Sequence, residues 1–120
     1  MHVEQVDFVT IPARDPYRAR AFYHETLGLP FDSNNRDEIT AGQVTLAFWN
    51  PESDGLEFSP NLGGVAVRVA DVAAARLELE AKGVEFAGTS DSGVCHMAFF
   101  QDPDGNWVIL HRRYAPYGSG

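Results

Sequence analysis

Apolar and polar residues follow two different periods along this chain, and the switch between them occurs twice. Val9–Asp15 (VTIPARD) and Val65–Asp71 (VAVRVAD) place apolar residues at alternate positions, as a half-buried strand does, and each ends in an aspartate followed by a helix-forming segment. In the first copy Asp15 is placed to accept hydrogen bonds from the free amides of the helix start, and Pro16 suits the first turn. Ala19, Phe22, Tyr23 and Leu27 form the apolar stripe, and Gly28 stops the helix. In the second copy Asp71 is the cap, Val72, Ala75 and Leu79 are the stripe, and Gly83 is the stop.

Strand-like segments follow each helix. They are Phe31 with Glu38–Thr40 and then Val44–Trp49 in the first half, and Glu85–Phe86, Val94–Phe100 and Trp107–Arg112 in the second. The expected fold is therefore α+β: tandem βαβββ modules at residues 5–50 and 61–113 form a curved mixed sheet around a cavity, within a single domain of residues 1–120. Asn50–Pro60 is rich in Pro, Ser, Asp and Gly and breaks both periods, which marks it as the linker. Residues 114–120 (YAPYGSG) read as a flexible tail.

Composition narrows the class of partner. The 120 residues carry 17 Asp and Glu against 9 Lys and Arg, a net charge of −8, which opposes binding to nucleic acid phosphates and would favour cationic small molecules. The longest apolar runs are far shorter than the roughly 20 residues of a membrane span, and no basic-then-apolar leader opens the sequence, so a cytoplasmic location is expected. Cys95 is the only cysteine, which excludes an internal disulfide and a thiolate zinc cluster; it reads as a small buried residue.

Taken together, the repeat, RDPYRARAFYHETLGL after the first strand, VADVAAARLELEAKGVEF in the second module and FFQDPDGNWVIL near the end resemble the vicinal oxygen chelate superfamily. That superfamily includes glyoxalase I, extradiol dioxygenases, fosfomycin-resistance enzymes and bleomycin-resistance proteins. The resemblance covers about residues 5–112 and implies the glyoxalase/bleomycin-resistance/dioxygenase fold. DPDG alone is a type I turn with Pro103 at its second position and Gly105 at its fourth.

In metal-dependent members the ligands project from the first and last strands of each module. Transferred by position, they fall on Phe8, on Gly64, on Ile109 and within Val44–Trp49 (VTLAFW), none of which offers a carboxylate or imidazole. No metal and no cofactor are expected. Of His2, His24, His96 and His111, strand alternation directs only His111 into the cavity; His24 reads as a helix-surface residue and His96 as facing the helix side.

The same alternation lines the cavity with Phe8, Thr10, Ala66, Arg68, Cys95, Met97, Phe99, Trp107, Ile109 and His111. Trp49 or Phe48 should join them, since a one-residue slip in Val44–Trp49 exchanges the two. Such a lining suits stacking on a flat or apolar ligand, with Arg68 and His111 as orienting polar contacts. Two functions follow. The preferred one resembles the bleomycin-resistance branch: a homodimer that sequesters a small aromatic or cationic molecule without a metal, as in antibiotic resistance. The alternative is a superfamily enzyme, a lyase, isomerase or dioxygenase with a non-standard or metal-free site, in which His111 or Arg68 is the catalytic candidate. An enzyme would need a base held by a carboxylate partner, and none is evident from sequence spacing.

Overall fold

Asp15 and Asp71 both cap helices. The Asp15 carboxylate accepts from the amides of Tyr17 and Arg18, at 3.1 and 3.3 Å, and Asp71 accepts from Ala74 at 3.0 Å. The computed structural model describes residues 1–35 and 37–117, and the chain divides into two compact units, Met1–Asn61 and Leu62–Gly120.

In the first unit β1 (Val9–Pro12) leads into α1 (Pro16–Ala21), which continues as a turn of π-helix over Phe22–Thr26 before β2 (Glu38–Ala41) and β3 (Val44–Trp49). The strand order is β1-β3-β2, with β1 parallel and β2 antiparallel to β3; an isolated bridge from Phe31 to Ile39 extends the β2 side. Ile11, Ala19, Tyr23, Ile39 and Leu46 are buried together as this unit's core. The helix does not run unbroken to Gly28, because the amide of Leu27 bonds the carbonyl of Phe22, one residue further back than an α-helix allows.

The second unit repeats the plan: β4 (Val65–Arg68), α2 (Val72–Ala81), β5 (Phe86–Asp91), β6 (Cys95–Gln101) and β7 (Trp107–Arg113), in the order β4-β7-β6-β5. Only β4–β7 is a parallel pair. The fold is thus α+β with two mixed sheets and few helices. α2 packs across β6 and β7, and Val72, Leu79, Ala98, Phe100, Val108 and Leu110 are buried between them. Burying a side chain the size of Phe100 contributes about 2–3 kcal/mol. β5 runs on to Asp91, well beyond the expected Phe86, because it pairs antiparallel with β6 as far as His96.

The turn that feeds β7 is built on one carboxylate. Asp102 is 5% exposed; its Oδ1 accepts from the amides of Asp104 and Asn106 at 2.9 and 3.0 Å, while Oδ2 accepts from Asn106 Nδ2 at 2.9 Å. The Gly105 amide closes the turn on the Asp102 carbonyl, and the Asp102 amide pairs with the Asn106 carbonyl. Every one of these bonds lies within the turn, and together they hold β6 and β7 in register.

Residues 114–117 are tied to this unit: the amides of Tyr114 and Ala115 donate to the Val94 carbonyl, and Pro116 accepts from Arg113 Nη2. The rest of the expected tail, residues 118–120, lies outside the described residues. Among the described residues no helix is long and apolar enough to cross a membrane.

Asp102→Ala removes three hydrogen bonds from a buried turn, and should destabilise the protein by about 3 kcal/mol in chemical denaturation. A loss of a few tenths of a kcal/mol would mean that the turn does not set the register.

Candidate functional site

Alternation along β7 separates two jobs. Val108 and Leu110 point into the core under α2, so Trp107, Ile109, His111 and Arg113 occupy the opposite face. Register assembles neighbours beside them: Phe99 pairs with Ile109 from β6, while Ala66 pairs with Ile109 and Arg68 with His111 from β4. Phe99, Trp107 and Ile109 line an open cavity of about 330 Å³, with Leu62, Gly63, Ala87, Gly88 and Thr89 at its margin. Gly88 sits at an irregularity in the β5–β6 pairing.

Two residues further along β7 the character changes. Arg68, His111, Arg112, Arg113, Ala115 and Tyr117 enclose a smaller recess of about 160 Å³. The Arg113 guanidinium lies 4.5 Å over the Tyr117 ring, and its Nη2 donates to the Pro116 carbonyl at 2.9 Å.

The remaining expected lining residues are not all beside these. Phe48 has its ring 5.1 Å from Tyr23, which is fully buried, so it serves the helix-side packing of the first unit, in register with Ile11. Trp49 takes the opposite face, and its Nε1 donates to Asp54 Oδ2 at 2.6 Å. Thr10 is exposed in β1, and Phe8 precedes that strand and is 56% exposed. Met97 borders a different groove, about 700 Å³, between α2 and the β5–β6 hairpin, with Arg76, Leu77, Glu80, Asp91 and His96. Cys95 is half-buried opposite Arg113. His24 is not a free helix-surface side chain: it is half-buried, with Nδ1 2.7 Å from the Leu29 carbonyl and its ring stacked 4.0 Å from Phe31. Those contacts follow from the chain doubling back at Gly28, whose φ is 77°.

The family's metal positions fit no metal here. Gly64 has φ of 85°, and a Cβ built on it would lie 3.3 Å from both Ile109 Cδ1 and Trp107 Cβ. A ligating side chain would meet a left-handed backbone and an occupied space at once. Ile109 brings a hydrocarbon to the same spot, and among the described residues no group of three or more His, Cys, Asp or Glu side chains could hold an ion. The position is filled by packing.

A carboxylate-held histidine does exist, and sequence spacing missed it. Asp91 Oδ2 is 3.4 Å from His96 Nε2, and Asp91 Oδ1 accepts from the Tyr114 hydroxyl at 2.7 Å; the His96 and Tyr114 rings are 4.4 Å apart. The hydrogen bond from the Gly93 amide, then that from Tyr114, hold the Asp91 carboxyl below the usual carboxylate range, and the bond to Asp91 holds the Tyr114 phenol above its ordinary value. The available signal was Asp91-Ser92-Gly93, a turn that makes Asp91 and His96 cross-strand partners. The cluster lies on the α2 side of the sheet, away from His111.

The model of the Glyoxalase/Bleomycin resistance protein/Dioxygenase superfamily matches residues 5–110, and the chain belongs to that superfamily. Over 68 residues it is 35% identical to lactoylglutathione lyase of Pseudomonas aeruginosa, covering 52% of this chain and 39% of that protein. The match therefore spans about two-fifths of the relative's length. A superfamily member from Sphaerobacter thermophilus has a TM-score of 0.71 at 27% identity, with 91% of this chain and 97% of that one covered. TnmS3, an antibiotic binding protein from a Streptomyces species, has a TM-score of 0.75 at 24% identity, with 94% and 98% covered, and shares the fold.

Asp91→Asn should lower the Tyr114 titration toward the ordinary phenol value of about 10, read by ultraviolet absorbance with Tyr114→Phe as the reference. The stabilisation from the depressed Asp91 carboxyl is present above its unfolded pKa, near 3.9, and lost as pH falls through the lower folded value. That from Tyr114 is present below about 10 and lost as pH rises through its raised value. An unchanged phenol titration in Asp91→Asn would remove this bond from the account.

Proposed function

We propose that this chain binds a flat, largely apolar small molecule against Phe99, Trp107 and Ile109, without a metal ion, and holds the ligand without converting it. The observation that carries this reading is the aromatic cavity on the face of β7 that the core does not use. Its volume, about 330 Å³, lies at the small end of the range for organic ligands. Stacking on each ring contributes about 0.5–1.5 kcal/mol beyond burial, so two rings and an isoleucine can support micromolar affinity.

Two features favour holding over catalysis. The metal position is closed by Gly64 and Ile109. The histidine with a carboxylate partner is His96, whereas the catalytic candidates His111 and Arg68 line a recess with no acidic residue among its lining side chains. The antibiotic binding of TnmS3 supports sequestration as the use of this fold, while the lactoylglutathione lyase relative supports the enzymatic alternative.

Pairing with a second copy belongs to the same proposal. Val3, Val6 and Phe8 are 68%, 69% and 56% exposed, an apolar strip that a partner would cover. Light scattering should give a dimer at micromolar concentration; a monomer there would contradict the pairing.

The ligand site is tested by titrating planar aromatic compounds against tryptophan emission in a Trp49→Phe background, so that Trp107 alone reports. Trp107→Ala, followed by calorimetry, should weaken binding at least about tenfold, roughly 1.4 kcal/mol. Tyr17→Ala, at an exposed position of α1, should leave affinity unchanged. Ligands whose affinity ignores Trp107→Ala would place binding elsewhere.

A further inference from the structure

The net charge of −8 favours cations in general, but the local charge beside the aromatic cavity has the other sign. The recess formed by Arg68, His111, Arg112, Arg113, Ala115 and Tyr117 is lined by three arginines and by no acidic residue. Ion pairs of the described residues join Arg20 to Asp37, Arg76 to Glu80 and His96 to Asp91, and so leave Arg68, Arg112 and Arg113 without a carboxylate partner among those residues. Arg113 is held by its own surroundings, with Nη2 donating to the Pro116 carbonyl and the guanidinium over the Tyr117 ring, whereas Arg68 is exposed and faces the recess with its charge uncommitted to a carboxylate among the described residues.

The recess and the cavity share β7. Trp107, Ile109, His111 and Arg113 follow one another on one face at about 7 Å per step, so His111, with Arg68 in register beside it, lies roughly 7 Å beyond Ile109 and 14 Å beyond Trp107. Arg68, in register with His111 on the neighbouring strand, widens the cationic end.

We infer that the ligand of this face is an aromatic carboxylate, its ring against Phe99 and Trp107 and its anionic arm reaching along β7 to Arg68 beside His111. This rests on the proposed aromatic site and adds its polarity. The anion accepts from the Arg68 guanidinium, a charge-assisted contact stronger than a neutral one. Selection for an anionic arm is then set by one corner of the sheet, against the sign of the chain as a whole.

The test compares naphthylbutyrate, naphthylbutanol and naphthylbutylamine, which share a ring and differ in the charge of the arm, by calorimetry on the full chain. The butyrate should bind at least about tenfold tighter than the alcohol, the amine should bind most weakly, and added salt should weaken the butyrate alone. Arg68→Gln, at an exposed strand end where folding is not at stake, should bring butyrate and alcohol together. The contact is read separately as a shift of the Arg68 Nε–Hε resonance on adding the butyrate.

If all three compounds bind equally and all lose affinity in Trp107→Ala, the anionic inference falls and the aromatic site stands. If the butyrate binds through Arg68 yet ignores Trp107→Ala, the aromatic site falls and the anion site stands. Tighter binding of the amine, or no binding by any of the three, overturns the inference.

Discussion

The register of β7 is the constraint on which the rest depends. A strand turns alternate side chains to opposite faces, so a slip of one residue would move Val108 and Leu110 out of the core and Trp107 and Ile109 into it. The buried turn around Asp102 fixes that register on the β6 side, and the parallel pairing of Val65–Arg68 fixes it on the β4 side. Packing under α2 and the composition of the opposite face are therefore one decision. No separate device is needed to present the aromatic and cationic residues in a row.

The same row shapes the position where the family's resemblance would put a ligating side chain. In the second unit the space a side chain at position 64 would use is occupied by Trp107 Cβ and the Ile109 methyl, and Gly64 takes a left-handed conformation beside them. What stands at that position is an apolar surface with charge at one end. Such a surface can orient an organic molecule by stacking and by one ion pair, neither of which requires the ligand to react.

The fold was legible because its signals are short-range and repeated. Asp15 and Asp71 as caps, Gly28 and Gly83 as stops, and alternation through Val108–Leu110 each act within a few residues, and the second copy corroborates the first. The facing of the candidate lining residues was legible only where a strand's parity is anchored, as it is for Phe99, Trp107, Ile109 and His111 between core residues Ala98, Phe100, Val108 and Leu110. Val44–Trp49 lacks such an anchor in sequence, since Leu46, Phe48 and Trp49 are all large and apolar; the Tyr23 contact decides the face of Phe48, and that contact is long-range. His24 and the Asp91–His96–Tyr114 cluster depend on where turns return the chain, which spacing alone does not give. The charge of the recess was hidden for a related reason: the whole chain is acidic, and only the pairing of β4 with β7 sets Arg68 beside His111 and Arg113.

Elemental analysis of the mildly purified chain tests most directly whether this face serves an organic ligand in place of a metal centre. With Gly64 and Ile109 where donors would stand, divalent and transition metals should remain far below one ion per chain after dilution. Retention of about one ion per chain, lost on chelation together with a structural change at Trp107, would contradict the account.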